Sequence, residues 1–179
     1  MKGKFKGSST KPLITKDEIQ KRVKEIAQDI TRDYEGKDLV CIGILNGSYM
    51  FFTDLTRNID LDLETEFVRF SSYDNNIQSK EIKTMVNLKT SLSGKHVILI
   101  EDIIDTGNTF YKTDIVQKVL RDGAISCKVA ALISKPSRRV HDINIDYLGF
   151  EIEDLYIYGY GLDTEELGRN LEDIWYIEN

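Results

Sequence analysis

The chain has 179 residues, 41% of them hydrophobic, and its 24 Lys and Arg against 30 Asp and Glu give a net charge of −6. That length and apolar fraction suit one globular domain with a buried core, which we predict over residues 1–179. An acidic chain without a basic stripe argues against nucleic-acid binding, and no apolar run reaches the ~18 residues that cross a bilayer.

The first ten residues are polar and basic and lack the apolar core of a signal peptide. We predict a flexible tail for residues 1–10, with a first strand or hairpin as the alternative. Cys41 and Cys127 lie in apolar segments, which predicts two reduced, buried thiols in a cytoplasmic protein. His96 and His141 have no neighbours at ligand spacing, so we predict neither a metal-binding nor a catalytic role for them.

The first half of the chain predicts the start of a βαβ unit. A helix is predicted over Thr15–Tyr34, where a capping-box pattern precedes a single apolar face. Leu39–Leu45 is a continuous apolar run, typical of a strand covered on both faces as in a parallel sheet. Asn46–Ser48 ends this strand in a tight Gly loop, and a second helix is predicted over Tyr49–Asn58.

Two segments with strand-like alternation, Glu66–Tyr73 and Glu81–Leu88, predict an antiparallel pair. The polar stretch between them, Asp74–Lys80, is longer than a tight turn and has no helix or strand pattern. Its length indicates a mobile connection with a role of its own, and a merely exposed connection is the alternative.

The second half of the chain continues to alternate strands with helices. We predict strands at Val97–Ile100, Lys128–Ser134, Tyr147–Ile152 and Leu155–Tyr158, a helix at about Phe110–Arg121, and an irregular tail at Asp163–Asn179. This order predicts an α/β fold with a mainly parallel sheet flanked by helices, in which ligands bind at the carboxyl ends of the strands.

The segment after Val97–Ile100 carries the strongest chemical signal. The carboxylates of Glu101 and Asp102 could accept hydrogen bonds from a sugar diol or hold a divalent cation. Gly107 permits a tight turn, and the free amides and hydroxyls around it would form a cup for a phosphate group. An acidic turn before a capped helix, without any function, is the alternative.

Val97–Thr109 resembles the phosphoribosyl-pyrophosphate motif of the type I phosphoribosyltransferases: four apolar residues, two acids, two apolar residues, then Asp-Thr-Gly-x-Thr. The resemblance extends from about Thr15 to Arg169 and indicates the hypoxanthine/guanine branch of that family. It implies a Rossmann-like sheet with a small hood built from the chain ends. It also implies that the ribose and 5′-phosphate bind Glu101, Asp102, Asp105, Thr106, Gly107, Asn108 and Thr109.

Two further segments resemble the parts of that family that handle pyrophosphate and exclude water. Leu45–Ser48 resembles the pyrophosphate loop, whose first peptide bond is often cis, and implies binding by Asn46, Gly47 and Ser48. Many members carry Lys where this chain has Asn46, so the implied role there is that of the backbone. Arg169 resembles the Arg that binds pyrophosphate, and Ser72 with Tyr73 resembles the pair that opens the mobile catalytic lid.

The resemblance also implies a purine site. Lys135 would donate to the 6-oxo group, Tyr156 would stack on the base, and the backbone of Ile157 would read the base edge. Asp163 resembles a second acid linked to magnesium, so the implied metal ligands are Glu101, Asp102 and Asp163 for Mg²⁺.

The implied reaction transfers a 5-phosphoribosyl group from phosphoribosyl pyrophosphate to N9 of hypoxanthine or guanine and releases pyrophosphate. Asp105, with Ser72 and Tyr73 of the lid, would be the catalytic residues, and Asp105 would assist deprotonation near N7. The family implies a homo-oligomer, either a dimer or a tetramer. Two alternatives stay open: a regulatory module that binds the donor without catalysis, and a transferase that also uses xanthine.

Overall fold

The computed structural model of the protein describes residue 5 and residues 7–72, 82–84 and 88–178, with only the backbone described for residues 71–72 and 82–84. The elements run in chain order as α1 Lys16–Tyr34, β1 Leu39–Leu45, α2 Tyr49–Asn58, β2 Leu63–Ser72, β3 Ile82–Thr84, β4 His96–Ile104, α3 Asn108–Thr113, α4 Ile115–Arg121, β5 Ser126–Ser134, a 3₁₀ turn Pro136–Arg138, β6 Tyr147–Glu151, β7 Tyr156–Tyr158 and β8 Trp175–Ile177.

The main sheet has the strand order β3-β2-β1-β4-β5-β6. All its pairs are parallel except β2 with β3. Two apolar clusters cover its faces, because alternate side chains of a strand point to opposite sides. Cys41 of β1 packs with α1 and α2, whereas Val40 and Ile42 pack with α3 and α4. The predicted α/β fold, a mainly parallel sheet flanked by helices, is confirmed.

The predicted start of the βαβ unit is confirmed almost to the residue. Thr15 and Glu18 form the capping box: the Glu18 N–H donates to Thr15 Oγ1 at 3.3 Å, and the Thr15 N–H donates to Glu18 Oε2 at 2.8 Å. The apolar face of α1 is fully buried against the sheet. The bounds of β1 and α2 are those predicted from the sequence.

Strand β4 continues past its predicted end at Ile100 and runs to Ile104. It does so because the parallel pairing with β5 extends as far as Ile104 opposite Ser134. Glu101 and Asp102 are therefore residues of the strand and not of the loop after it, so the sheet fixes the position of their backbones.

The prediction of one helix over Phe110–Arg121 is wrong. The segment forms two short helices, α3 and α4, which meet at Asp114 with a left-handed backbone, φ 49°. Aspartate is one of the few residues that enter this conformation readily, and here its carboxylate also pairs with Arg121 at 2.9 Å. The apolar spacing continues across the break, which is why periodicity alone does not show it.

The chain ends build the predicted hood. β7 and β8 form a small antiparallel sheet, so the tail predicted to be irregular contains a strand at Trp175–Ile177. Ser8 bridges to Ile177 of this sheet, Ile14 bridges to Ile174, and Ser9 is buried. Residues 7–9, part of the segment expected to be a loose tail, thus pack onto the hood.

Three smaller expectations concern the outer strands, the thiols and the membrane. β2 and β3 are antiparallel as predicted, but β2 begins at Leu63 because it pairs with β1 from Leu39 onward. Cys41 is buried and Cys127 is only half-buried, and both are free thiols. Within the described residues, no helix is both long and apolar enough to cross a membrane.

Candidate active site

A pocket of about 280 Å³ lies at the carboxyl end of β4 and is lined by Glu101–Phe110. The loop after β1 borders the same edge of the sheet, because Gly47 packs on Asp102. The residue after β5, Lys135, joins this edge, since its backbone N–H donates to the Ile104 carbonyl at 3.1 Å. The carboxyl ends of three neighbouring parallel strands therefore converge where the sequence predicts a ligand.

The acidic pair is buried, with Glu101 and Asp102 only 8% and 7% exposed. Burial raises the pKa of the Glu101 carboxyl well above its ordinary value, and the adjacent charge of Asp102 adds to the rise. Burial also raises the pKa of Asp102, while hydrogen bonds and the positive charge of Arg169 act in the opposite direction. Such a pair is electrostatically strained unless a cation or hydrogen-bond donors compensate it.

The acidic pair fits a divalent cation. Oε2 of Glu101 is buried and has no hydrogen-bond partner among the described residues. Carboxylate oxygens are the ligands that Mg²⁺ prefers, and Mg²⁺ commonly takes one or two of them together with substrate oxygens and water. The donor set of Glu101 and Asp102 is therefore compatible with Mg²⁺ bound jointly with a substrate.

Asp163, the third predicted metal ligand, lies apart from this pair. It is paired with Arg169 Nη2 at 2.7 Å, and its Oδ2 accepts from the Glu166 N–H at 2.9 Å. In the described part of the chain, no three His, Cys, Asp or Glu side chains come close enough together to hold a metal ion. The structure does not assemble the three carboxylates into one cluster, since Asp163 belongs to the hood and the acidic pair to the sheet.

The predicted pyrophosphate residues lie together. The Leu45–Asn46 peptide bond is cis, as the resemblance implies. Gly47 lies between Asp102 on one side and Gly161 of the hood on the other. The Gly161 carbonyl accepts from Nη1 of Arg169 at 2.9 Å, so the Arg169 guanidinium is tied to the segment that covers the Gly47 loop.

The phosphate loop is held by the segment after β5. The N–H groups of Val140 and His141 both donate to the Thr106 carbonyl at 3.0 Å. Gly107 has φ 80°, and a Cβ atom on it would lie 2.5 Å from the His141 carbonyl oxygen. Because α3 has only 6 residues, a phosphate here would be bound by loop amides and hydroxyls, with little help from a long helix.

The predicted purine residues lie after β5 and in β7, at the same end of the sheet as the phosphate loop. Lys135 is 7% exposed, and its Nζ donates to the Leu155 carbonyl at 2.5 Å, directly before β7. Tyr156 is 56% exposed, so its ring offers a free face, while the Ile157 side chain is buried in the hood. The hood strand thus brings an aromatic ring and the backbone of Ile157 near a buried ammonium group.

Two functional candidates, Arg138 and Asp154, are not indicated by the sequence pattern. Arg138 Nε donates to Asp105 Oδ1 at 2.8 Å, and its Nη1 pairs with Asp154 Oδ2 at 3.2 Å. Asp154 in turn lies 3.9 Å from Lys135 Nζ. Alternating charges therefore connect Asp105 with Lys135. The sequence offers only an Arg pair after a strand, a pattern that is usually a solvated loop.

The structure does not test the two predicted lid residues. Ser72 is the last residue of β2, and only its backbone is described. Tyr73 and Asp74–Lys80 lie outside the described residues, so the catalytic lid stays a prediction.

Known proteins are similar to this chain in both sequence and fold. Residues 14–165 match the family model described as the phosphoribosyl transferase domain. The chain is 42% identical over 162 residues to the hypoxanthine-guanine phosphoribosyltransferase of Bacillus subtilis (strain 168), covering 90% of this chain and 89% of the relative. It is 41% identical over 161 residues to the enzyme of the same name from Staphylococcus aureus (strain Mu50), covering 89% and 88%.

Solved structures give the same result. A crystal structure of a hypoxanthine phosphoribosyltransferase from Staphylococcus aureus superposes with a TM-score of 0.87 at 40% identity, covering 94% of this chain and 91% of that one. A hypoxanthine phosphoribosyltransferase from Trypanosoma cruzi, solved with its ternary substrates, gives a TM-score of 0.88 at 31% identity, with 97% of both chains covered.

Proposed function

The chain belongs to the phosphoribosyltransferase family, and on that premise we propose that it is a purine-salvage enzyme. It transfers the 5-phosphoribosyl group of phosphoribosyl pyrophosphate to N9 of hypoxanthine or guanine and yields IMP or GMP with pyrophosphate. One observation supports this most strongly: the acidic phosphate loop after β4 lies beside buried Lys135 after β5. A donor sugar phosphate and a 6-oxopurine can therefore occupy adjacent subsites.

The donor would bind the loop after β4. Glu101 and Asp102 would orient the ribose hydroxyls, and residues 105–109 would enclose the 5′-phosphate with amides and hydroxyls. We propose Mg²⁺ as the cofactor, which when bound would neutralise charge on the pyrophosphate as it leaves. Glu101 and Asp102 are its candidate ligands, and Asp163 is a further candidate that would act through substrate oxygens or water.

The leaving group would bind at the loop after β1, beside the acidic pair. Positive charge grows at the anomeric carbon as the bond to pyrophosphate breaks, so the protein must stabilise the anion and exclude water. The guanidinium of Arg169 and the backbone at Asn46–Ser48 would bind the anion. We propose that the lid opened by Ser72 and Tyr73 excludes water during the reaction.

The base would bind between the loop after β5 and the hood. Lys135 Nζ, which donates to the Leu155 carbonyl, would also donate to the 6-oxo group, and Tyr156 would stack on the ring. The Ile157 backbone and Asp163 would contact the other edge of the purine. Asp105 would accept the proton that the base loses near N7, since its carboxylate is held in place by Arg138.

The direct test is incubation with phosphoribosyl pyrophosphate, Mg²⁺ and either hypoxanthine or guanine, with product nucleotide measured by chromatography. We expect IMP and GMP to form, and we expect Asp105→Asn to retain donor binding while losing most turnover. Donor binding without any nucleotide product would instead support the alternative of a regulatory module. Absence of both binding and turnover would refute the proposal.

Three finer points belong to the same proposal. We propose that the enzyme works in the cytoplasm and that it assembles as a homodimer or homotetramer, with no nucleic-acid or membrane partner. Xanthine remains a candidate third substrate, because a donor at the 6-oxo group does not distinguish among the three 6-oxopurines.

A further inference from the structure

Tyr160 adopts a backbone conformation that a bulky residue rarely occupies. Its φ is 48°, and it stands between Gly159 and Gly161, whose φ values are 101° and 98°. Its side chain is only 2% exposed. A non-glycine residue in the left-handed region is strained and persists only where surrounding contacts hold it there.

The hydroxyl group of Tyr160 provides such a contact. It donates a hydrogen bond to Oδ2 of Asp54 at 2.6 Å, and Nε2 of Gln20 donates to the same oxygen, also at 2.6 Å. Burial raises the pKa of Tyr160, and the bond to Asp54 raises it further, so the hydroxyl keeps its proton and remains a donor. The hood residue is thereby fastened to both α1 and α2.

The residue next to Tyr160 touches the proposed pyrophosphate subsite. A Cβ atom on Gly161 would lie 2.0 Å from the carbonyl oxygen of Gly47, so the two backbones are in direct contact. The Gly161 N–H donates to the Arg169 carbonyl at 2.8 Å, and its own carbonyl accepts from Arg169 Nη1 at 2.9 Å. Gly161 therefore holds one side of the Arg169 guanidinium, at Nη1, against the Gly47 loop, while Asp163 pairs with Nη2.

Helix α2 links the Gly47 loop both to Arg169 and to Asp54. It begins directly after the Asn46–Ser48 loop, and Tyr49 at its first turn donates from its hydroxyl to the Arg169 carbonyl at 3.1 Å. Asp54 lies further along the same helix. The contacts therefore form a closed ring. The Gly47 loop leads into α2, Asp54 of α2 bonds Tyr160, and Gly161 next to Tyr160 contacts Gly47.

We propose that Tyr160 is a positioning residue for the pyrophosphate subsite, which it holds in register through its hydrogen bond to Asp54. The proposal rests on the proposed function, since it takes that subsite to bind pyrophosphate. Tyr160 itself touches no substrate: it fixes Gly161 against Gly47 and thereby aims Arg169.

The test is Tyr160→Phe, with Tyr158→Phe as its matched control. Tyr158 lies in the same hood segment, is fully buried, and donates from its hydroxyl to Ser8 Oγ at 2.7 Å. Its ring lies against Gly168 and is kept in Tyr158→Phe. We expect Tyr160→Phe to raise the KM for phosphoribosyl pyrophosphate, and for pyrophosphate in the reverse reaction, by about 10-fold, as for a lost buried hydrogen bond. The KM for hypoxanthine should stay within about 2-fold in both variants.

Substitutions at Asp54 separate positioning from general destabilisation. Asp54→Asn keeps an oxygen acceptor and should leave the KM for pyrophosphate near that of the parent. Asp54→Leu should raise this KM at least as much as Tyr160→Phe, because it also removes the bond from Gln20. The Tyr160→Phe, Asp54→Leu double variant should be no worse than Asp54→Leu alone, since the bond between Tyr160 and Asp54 is already lost there. Equal KM changes for hypoxanthine and pyrophosphate, or equal effects of Tyr160→Phe and Tyr158→Phe, would overturn the proposal.

Failure of the proposed function is recognised separately. If the parent protein turns over no purine, calorimetry with pyrophosphate and Mg²⁺ replaces the kinetics. Tighter binding by the parent than by Tyr160→Phe would still support the positioning role, whereas equal binding, or no binding by the parent, would overturn it.

Discussion

The backbone of Gly47 lies directly against the carboxylate of Asp102: a Cβ atom on Gly47 would be 1.6 Å from Oδ2 of Asp102. Gly47 does not have a positive φ, so an alanine there meets no backbone obstacle. Glycine is required at this position for space alone. The contact joins the proposed pyrophosphate loop to the acidic pair, so a side chain added at position 47 must displace the loop or the carboxylate.

Gly47→Ala should therefore damage donor binding specifically. We expect the KM for phosphoribosyl pyrophosphate to rise at least about 10-fold, because the added methyl group must push the loop away from Asp102. The matched control is Gly94→Ala, at a surface turn where a Cβ would meet nothing within 4 Å. The control should lose some stability, because its φ is 78°, but keep its KM. An unchanged donor KM in Gly47→Ala would contradict this arrangement.

Gly107→Val should disable the phosphate loop. Its φ of 80° disfavours a β-branched residue, and its Cβ would lie 2.5 Å from the His141 carbonyl oxygen. We expect calorimetry to detect no binding of phosphoribosyl pyrophosphate, together with a lower Tm as the loop separates from residues 140–141. Gly36→Val, at φ 71° with nothing within 4 Å of its Cβ, tests the backbone effect alone. Donor binding that survives in Gly107→Val would place the phosphate elsewhere.

Glu101→Gln should stabilise the free protein while impairing donor binding. Burial raises the pKa of the Glu101 carboxyl above the ordinary glutamate pKa of 4.5. As the pH rises above 4.5, this carboxyl ionises more readily in the unfolded chain than in the folded one, so the folded state loses stability. A glutamine stays neutral, so the Tm advantage of the variant should grow as the pH rises above about 4.5, measured without substrate or metal.

The control for this pH series is Glu35→Gln, because Glu35 is exposed at the end of α1. The pH dependence of its Tm difference from the parent is subtracted from that of Glu101→Gln. A Tm difference for Glu101→Gln that is constant or shrinks as the pH rises would show that the buried carboxylate is not strained in the free protein.

Activity should depend on a hard divalent cation. A strong chelator should abolish turnover, Mg²⁺ should restore it, and Zn²⁺ should not, because the candidate ligands are carboxylate oxygens. Initial rates over a titration of chelator and then of Mg²⁺ measure this. Full activity in excess chelator would rule out the metal-assisted departure of pyrophosphate.

The sequence predicts the parts of the site whose chemistry is local in the chain. The segment from Glu101 to Thr109 shows its acids, glycine and hydroxyls close together, so the order of the residues indicates a phosphate cup, and the resemblance to the family motif adds the donor. Arg138 could not be inferred, because its role depends on a contact with Asp105 between the loops that follow β4 and β5. Tyr160 could not be inferred either, because the pattern of apolar residues in the sequence shows neither its φ nor its bond to Asp54.

The same distinction explains which elements of the fold differ from their prediction. The capping box and the apolar face of α1 are short-range signals, and they predict that helix correctly. The strand at Trp175–Ile177 depends on its pairing with β7. The break at Asp114 falls where the apolar spacing continues without interruption. Local pattern therefore predicts the sheet and the donor site, whereas packing between distant segments decides the hood.

The most direct measurement of the central claim compares hypoxanthine with adenine in the parent enzyme at saturating phosphoribosyl pyrophosphate. Lys135 Nζ can donate to a 6-oxo group, but it faces another donor in the 6-amino group of adenine, which leaves buried polar groups unpaired. We predict that kcat/KM for adenine is lower by at least about 100-fold, equivalent to roughly 3 kcal/mol. Lys135→Ala should lower kcat/KM for hypoxanthine with little change in donor binding. If adenine reacts as well as hypoxanthine, the role of Lys135 and the assignment as a 6-oxopurine transferase are both contradicted.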